Sequence, residues 1–339
     1  MVSLESVQQH NASLKDFGPN LVAVFVGGTS GIGESTARAF VRNTDSSRVY
    51  LVGRNESQAS KIIEELRQLD PDGQISFVQC DATRLHSVDD ACKSIQEKEE
   101  KVNLLFMTVG TMTTKGRDET DEGLDKKLSL HYYSRMRFAT NLLPQLTRAA
   151  NVSDTSKQGL GGNLSRVVSV LSAGYETSLQ LDDLDLKTHY SLRNCSSHAI
   201  TMNTLFVREL AAAHPATTFI HAYPGGVKTG LMREFGPLTR AAISALAILA
   251  KPWMVPLDES GQRHLYASTS PRFPPRASGE GPDVANGADG KQGSGAYLLS
   301  WDGSITGNRK ILEAADENET GKLVWKHTWG IFQSICGGN

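Results

Sequence analysis

The sequence predicts an α/β fold of the three-layer, doubly wound Rossmann type on a seven-stranded parallel sheet. Three observations predict it. Short apolar runs alternate with longer segments of helical periodicity. The runs are near-continuously apolar rather than alternating, as strands are when both sheet faces are covered. The first run also opens directly onto a glycine cluster and then a helix, "VFVGGTSGIGESTARAF", at the start of a βαβ unit.

Strands are expected at 21–26, 48–53, 75–80, 103–109, 165–171, 217–223 and 296–300. Helices are expected at 31–43, 57–69, 86–100, 122–150 and 190–213. All 339 residues read as one domain with no internal repeat. Residues 1–19 form an N-terminal extension, and 230–270 are expected to carry helices that lid a substrate pocket. The segment 270–295, rich in Pro, Gly and Ala, reads as a mobile surface loop before the last strand. Leu323, Trp325, Trp329 and Phe332 mark 318–335 as a docked C-terminal helix.

Composition excludes several partners. A net charge of -2 gives no electrostatic reason to expect nucleic acid or an anionic membrane. The longest apolar run, "AAISALAILA" at 241–250, is far too short to span a bilayer. It reads as a buried helix or substrate-side lid, with brief contact at a membrane surface as the competing role. The N-terminus carries no apolar leader, and the four cysteines (Cys80, Cys92, Cys195, Cys336) show neither CxxC nor metal-ligand spacing. Free thiols, no metal and a cytoplasmic location are expected.

The glycine cluster is the strongest motif. Gly27, Gly31 and Gly33, with Thr29, Ser30 and Ile32 between them, suit a tight turn that lets backbone approach a pyrophosphate at a helix N-terminus. The second strand ends in Gly53-Arg54, where a carboxylate would bind a ribose 2′-hydroxyl. A planar cation there suits a 2′-phosphate instead, so NADP(H) is favoured over NAD(H). Arg54 as an ordinary solvated loop residue competes with this. Asp81, after the third strand, is placed to meet an adenine amino group, although an exposed loop aspartate needs no such role.

On these residues the chain resembles the short-chain dehydrogenases/reductases, from about residue 20 to 235 with one late strand. The glycine turn matches, although Val26 stands where threonine is usual. Asp81 falls on the family's adenine-contacting aspartate. Thr108-Val109-Gly110 lies over its Asn-Ala-Gly segment. Pro224, Gly225 and Thr229 of "PGGVKT" match the segment that closes over the nicotinamide. "LHYYSRMRF", "DDLDL" and "YLLSWDG" resemble fungal members, many from secondary-metabolite pathways. A homodimer is among the assemblies the resemblance implies, with the long loop and the tail placed to block the usual helix interfaces.

The family pairs hydride transfer with a proton-donating tyrosine, a lysine four residues later, a serine after strand five and an asparagine on the middle helix. Ser172 of "RVVSVLSAG" matches the serine. "NTLFVRELA" fixes the register downstream, so Ser196 stands at the tyrosine position, Ile200 at the lysine and His131 at the asparagine. An unactivated serine is a far poorer acid than a tuned phenol, and Ile200 has no charge to tune it. Tyr190 could enter the cleft if its turn bends inward, and His131 could donate a proton near neutral pH. His198 lies about 200° round the helix from Ser196 and is expected to face elsewhere, with Cys195 and Asn194 partly turned away. For each of these, a packed or solvated structural role competes.

Three functions follow, in this order. The first is an NADP(H)-dependent oxidoreductase of a small apolar carbonyl or alcohol, with Ser172 and a substitute donor (Tyr190 or His131, beside Ser196). The second is a non-redox isomerase, cyclase or dehydratase in the same pocket. The third is a cofactor-binding protein without catalysis. Tyr175, Met232, Phe235, Trp253 and Met254 suggest an apolar substrate of moderate size.

Overall fold

Seven parallel strands form one sheet in the order β3-β2-β1-β4-β5-β6-β7. The structure, a computed structural model, describes residues 1–151, 163–232, 235–236 and 254–337. The run 241–250, Trp253, residues 233–234 and 237–253 of the expected lid at 230–270 and the side chain of Met232 lie outside the described residues. The strands are β1 (Val22–Val26), β2 (Arg48–Gly53), β3 (Gln74–Gln79), β4 (Leu104–Met107), β5 (Arg166–Val170), β6 (Thr218–Ala222) and β7 (Ala296–Leu299). Each lies inside or within one residue of its expected run. Chain order reverses between β1 and β4, which opens a crevice at the carboxyl ends of the strands.

Alternate residues of each strand feed two cores. Val22, Val24, Val26, Leu105, Met107 and Val167 face one side. Ala23, Phe25, Leu104, Phe106 and Val168 face the other. The first face is covered by α4 (Leu85–Gln96), α6 (Ser134–Asn141), α8 (Leu192–Ala213), α10 (Arg309–Glu317) and the C-terminal α11 (Thr320–Cys336). The second is covered by α2 (Gly31–Asn43), α3 (Glu56–Leu69) and α9 (Leu257–Thr269). The N-terminal α1 (Leu4–Ala12) docks on α9, where buried Asn11 donates to the carbonyl and side-chain oxygens of Gln262 at 2.9 and 2.7 Å.

The helix expected over 122–150 is broken. Its observed parts are α5 (Lys126–Leu128), a π turn over Ser129–Tyr133, α6, and α7 (Leu143–Ala150). Pro144 restarts the chain at α7, because it cannot continue the hydrogen-bond ladder of the preceding turn. The π turn releases carbonyls, and side chains recover two of them. Arg135 Nε donates to Leu130 O (3.2 Å), and Asn203 Nδ2 donates to His131 O (2.7 Å).

The segment expected as a loop at 270–295 is tied to the body of the protein. Phe273 is fully buried, Ala277 N–H donates to Pro215 O (2.8 Å) and Tyr297 Oη donates to Pro274 O (2.8 Å). Among the described residues, no helix is long and apolar enough to cross a membrane.

Candidate active site

The glycine turn lies at the carboxyl end of β1, one bank of the crevice. Gly27 and Gly31 take φ values of 87° and 60°, which residues with a Cβ rarely adopt. A Cβ on Gly27 would sit 2.7 Å from Thr108 Oγ1, and one on Gly33 would strike the carbonyl of Gly27. These glycines let α2 start against the end of β1. The first amides of α2 have no intrahelical acceptor, and no side chain caps them. They point positive potential at whatever anion lies above the turn. Thr229, from the segment after β6, closes to 3.3 Å from where a Cβ of Gly31 would be, so it approaches the turn from the other bank, while Gly225 of the same segment packs against Trp301.

Arg54 follows β2 directly and is exposed, with no hydrogen bond or ion pair among the described residues. Asp81 is half-buried. Its Oδ1 holds Thr83 N–H (3.1 Å) and the Thr83 hydroxyl (2.9 Å), which leaves Oδ2 without a hydrogen bond among the described residues. Both residues stand at the carboxyl ends of neighbouring strands β2 and β3.

The floor of the other half is an extended buried network. Arg135, only 1% exposed, donates to Ser169 Oγ (2.9 Å), Val170 O (2.8 Å) and Val109 O (2.5 Å). Ser169 Oγ donates to Asn203 Oδ1 (2.8 Å). One guanidinium thus ties the π turn to the ends of β4 and β5. Sequence reasoning missed Arg135, Asn203 and Ser169. An arginine in "SRMRF" reads as solvated, and only the π turn explains why this one is not.

Ser172 lies just past β5 with a free hydroxyl among the described residues. Its N–H donates to His221 Nε2 (3.3 Å). His221 Nδ1 donates to Thr204 Oγ1 (2.8 Å), and Thr204 donates to Glu176 Oε1 (2.9 Å). This direction is consistent along the chain and fixes His221 as a neutral imidazole. Burial, aided by the positive charge of Arg135, holds it down to about 3.

Neither expected substitute donor is set up to donate at neutral pH. His131 Nε2 accepts the Thr111 N–H (3.1 Å), and burial together with Arg135 lowers its pKa to about 3. It is therefore neutral, with its free lone pair already used. The turn before α8 carries Tyr190 inward, not into the cleft. Its ring lies 5.3 Å from Lys127 Nζ, and its buried hydroxyl lies against the Cys195 thiol with no hydrogen bond of normal geometry. Burial pushes that phenol above its ordinary value.

Ser196 is exposed on α8 and Ile200 is buried, one turn apart on the same helix face. His198 faces away, as expected: Nε2 accepts Gln180 N–H (3.0 Å) and Nδ1 donates to Leu184 O (3.2 Å). Cys195 is buried toward Asp125, at 3.6 Å.

The mouth is apolar. Tyr175 is 57% exposed and stacks edge-on to Tyr223 at 5.1 Å. Met112 (42%) and Leu231 (38%) are joined by the Met112 N–H to Leu231 O bond of 3.2 Å. Leu231 also reaches within 3.7 Å of where a Cβ on Gly110 would lie. Tyr175 was expected here from the sequence; Met112 and Leu231, exposed apolar side chains beside it, were not singled out.

The sheet order, the glycine cradle and the crevice at the strand-order reversal define a doubly wound α/β protein built to hold an anionic ligand at its switch point. The chain belongs to the short chain dehydrogenase family, whose model matches residues 21–237. It is 42% identical over 344 residues to oxidoreductase AN1596 of Emericella nidulans, covering 98% of each chain. It is 37% identical over 347 residues to oxidoreductase andH of Emericella variicolor, covering 99% of this chain and 98% of that one. The crystal structure of an NADPH-bound carbonyl reductase from chicken fatty liver shares the fold. Its TM-score is 0.57 at 18% identity, over 86% of this chain and all of that one.

Proposed function

We propose that the chain is an NADP(H)-dependent oxidoreductase of a small apolar carbonyl or alcohol, in which water replaces the usual side-chain proton donor. The observation that carries this reading is Arg54. It is an exposed cation without a protein partner among the described residues, at the strand end where a 2′-phosphate would lie beside the glycine cradle. The residues fit the group: the glycines leave room that a Cβ would fill, the α2 amides are uncapped, and Asp81 Oδ2 keeps acceptor capacity for an adenine amino group. The NADPH-bound state of the carbonyl reductase with the same fold supports the choice of cofactor.

Bound there, the reduced cofactor supplies a hydride to the substrate carbon. The chain does the rest. Gly27 to Gly33 and the first turn of α2 would hold the pyrophosphate, with Thr229 beside the turn. The Ser172 hydroxyl orients the substrate oxygen, with its backbone held by His221. Met112, Tyr175 and Leu231 exclude bulk water from an apolar substrate. Ser196 is small and exposed where a tyrosine would fill the space, so it admits water to the substrate oxygen. The oxygen takes its proton from that water, and buffer neutralises the hydroxide. Such a site forfeits roughly 10²–10⁴-fold of acid–base help. It therefore suits a substrate already activated toward hydride.

Calorimetric titration with NADPH and NADH tests the reading. NADPH should bind more tightly than NADH, and Arg54→Ala should weaken NADPH by about 10- to 100-fold while leaving NADH unchanged. Failure of both nucleotides to bind would overturn it. A second reading, a non-redox isomerase, cyclase or dehydratase, is favoured by the neutral state of His131, since some such reactions need no acid. Product formation that consumes NADPH stoichiometrically rules that second reading out.

A further inference from the structure

Among the described residues, Arg135 is a buried cation without a counter-ion. All its acceptors are neutral: the carbonyls of Val109, Leu130 and Val170 and the hydroxyl of Ser169. Only burial perturbs it, with no carboxylate contributing. An unpaired buried charge is costly, and guanidinium does not relieve the cost by losing its proton. The neighbouring groups do not cancel it. His131 and His221 are neutral, Asp125 is engaged by Lys127 at 3.0 Å, and Glu176 lies beyond both His221 and Thr204. The charge sits directly under the carboxyl ends of β4 and β5, at Val109 and Val170, between Gly110 and Ser172.

We propose that Arg135 sets the redox-state preference of the cofactor site: its positive floor favours the neutral reduced nicotinamide over the cationic oxidised one. This rests on the NADP(H) reading above and deepens it. The oxidised nicotinamide carries a positive charge that the reduced ring lacks, and the two differ in little else that a floor charge can sense. Ile200 supplies no charge at the lysine position, and Arg135 stands as an uncompensated buried cation beneath this half of the crevice. Its effect is exerted at a distance, since it touches no part of the crevice surface. The reduced form therefore loads preferentially, and the oxidised form leaves after turnover. A purely structural clamp would weaken both forms alike.

The test is the ratio of dissociation constants, NADP⁺ over NADPH, by calorimetry on the full chain. A unit charge about 10 Å away at an effective dielectric of about 20 changes an affinity on the order of tenfold. Arg135→Gln should lower the ratio by about that factor. Arg135→Lys should keep it near wild type. Because Arg135→Gln could fail to fold, Ser169→Asp provides a second route: it sets a carboxylate beside Nη1 and should lower the ratio likewise. Binding of 2′,5′-ADP, which has no nicotinamide, should be the same in all folded variants. An unchanged ratio in Arg135→Gln and Ser169→Asp, with 2′,5′-ADP still bound, overturns the role of Arg135 and leaves the cofactor reading standing. If wild type binds neither nucleotide nor 2′,5′-ADP, the cofactor reading fails and takes this one with it.

Discussion

The imidazole of His131 accepts a hydrogen bond at Nε2 from the backbone N–H of Thr111, 3.1 Å away. A residue that stands where the family keeps an asparagine thus serves as a splint. It holds the loop after β4 against the π turn, and a Cβ on Gly110 would press to 2.9 Å from the same nitrogen. The bond needs an unprotonated Nε2, so it opposes any role as an acid near neutrality.

Three histidines should therefore make the fold acid-sensitive. Burial lowers His131 and His221 to about 3 and His264 to about 4, from 6.5. The unfolded chain binds these protons at higher pH than the folded chain does. Their contribution is thus complete above about pH 6.5 and is lost as pH falls from there toward 4 and 3. Between pH 6.5 and 5 each costs roughly 2 kcal/mol of stability. Urea unfolding across pH 8 to 5 should show this loss, and proton NMR should find the His131 and His221 rings neutral at pH 5. A His131 ring that titrates near 6.5 in the folded chain would contradict the geometry.

Much of this was legible in the sequence. Continuous apolar runs fixed the sheet to within a residue or two, because a doubly covered strand has little other way to read. Ser196 and Ile200 could be placed on one face of α8 because four-residue spacing repeats on a helix. Pro144, in "NLLPQL", interrupts the helix expected over 122–150, and that expectation passed over it. The π turn was not readable: it depends on Arg135 and Asn203 reaching carbonyls from side chains far apart in sequence. The inward course of Tyr190 was hidden too. It is set by the buried Asp125–Lys127 pair, 60-odd residues upstream.

Tyr190→Phe should be neutral or favourable. The tyrosine hydroxyl is buried without a partner, and an unsatisfied polar group costs about 1–3 kcal/mol. Removing it should leave nucleotide binding unchanged and raise the melting temperature by a few degrees. A large loss of turnover in this variant, on any substrate that wild type converts, would restore Tyr190 as a donor.

The loop that presents Ser172 hangs on one carboxylate. Glu176 accepts from Gly174 N–H (3.0 Å), Thr204 Oγ1 (2.9 Å) and Asn308 N–H (2.9 Å), and Gly174 adopts φ 94° beneath it. Glu176→Gln keeps the size but sets an amide against backbone donors. It should cost about 1–3 kcal/mol in urea unfolding and raise hydrogen exchange at Ser172 to Tyr175. Equal exchange in variant and wild type would mean that the loop is held by packing alone.

The outer face of α8 is occupied by the chain's own C-terminus. Trp325 stacks on Phe206 at 4.8 Å and 22°, while Val324 and Phe332 are buried. Two phenols of the π turn also find partners on α11: Tyr132 Oη meets Thr328 Oγ1 (2.5 Å), and Tyr133 Oη meets His327 Nε2 (2.7 Å). A second copy cannot reach this face while α11 is in place. Fully burying an aromatic or large aliphatic side chain contributes about 1.5–3 kcal/mol, so losing several of them takes away most of a typical domain's margin. Truncation before Thr320 should therefore give a chain that aggregates, or that pairs through the bared α8. Sedimentation should show this, with full-length protein free of self-association through α8. A truncated chain that stays monomeric with an unaltered melting temperature would show that α11 contributes nothing to the core it covers.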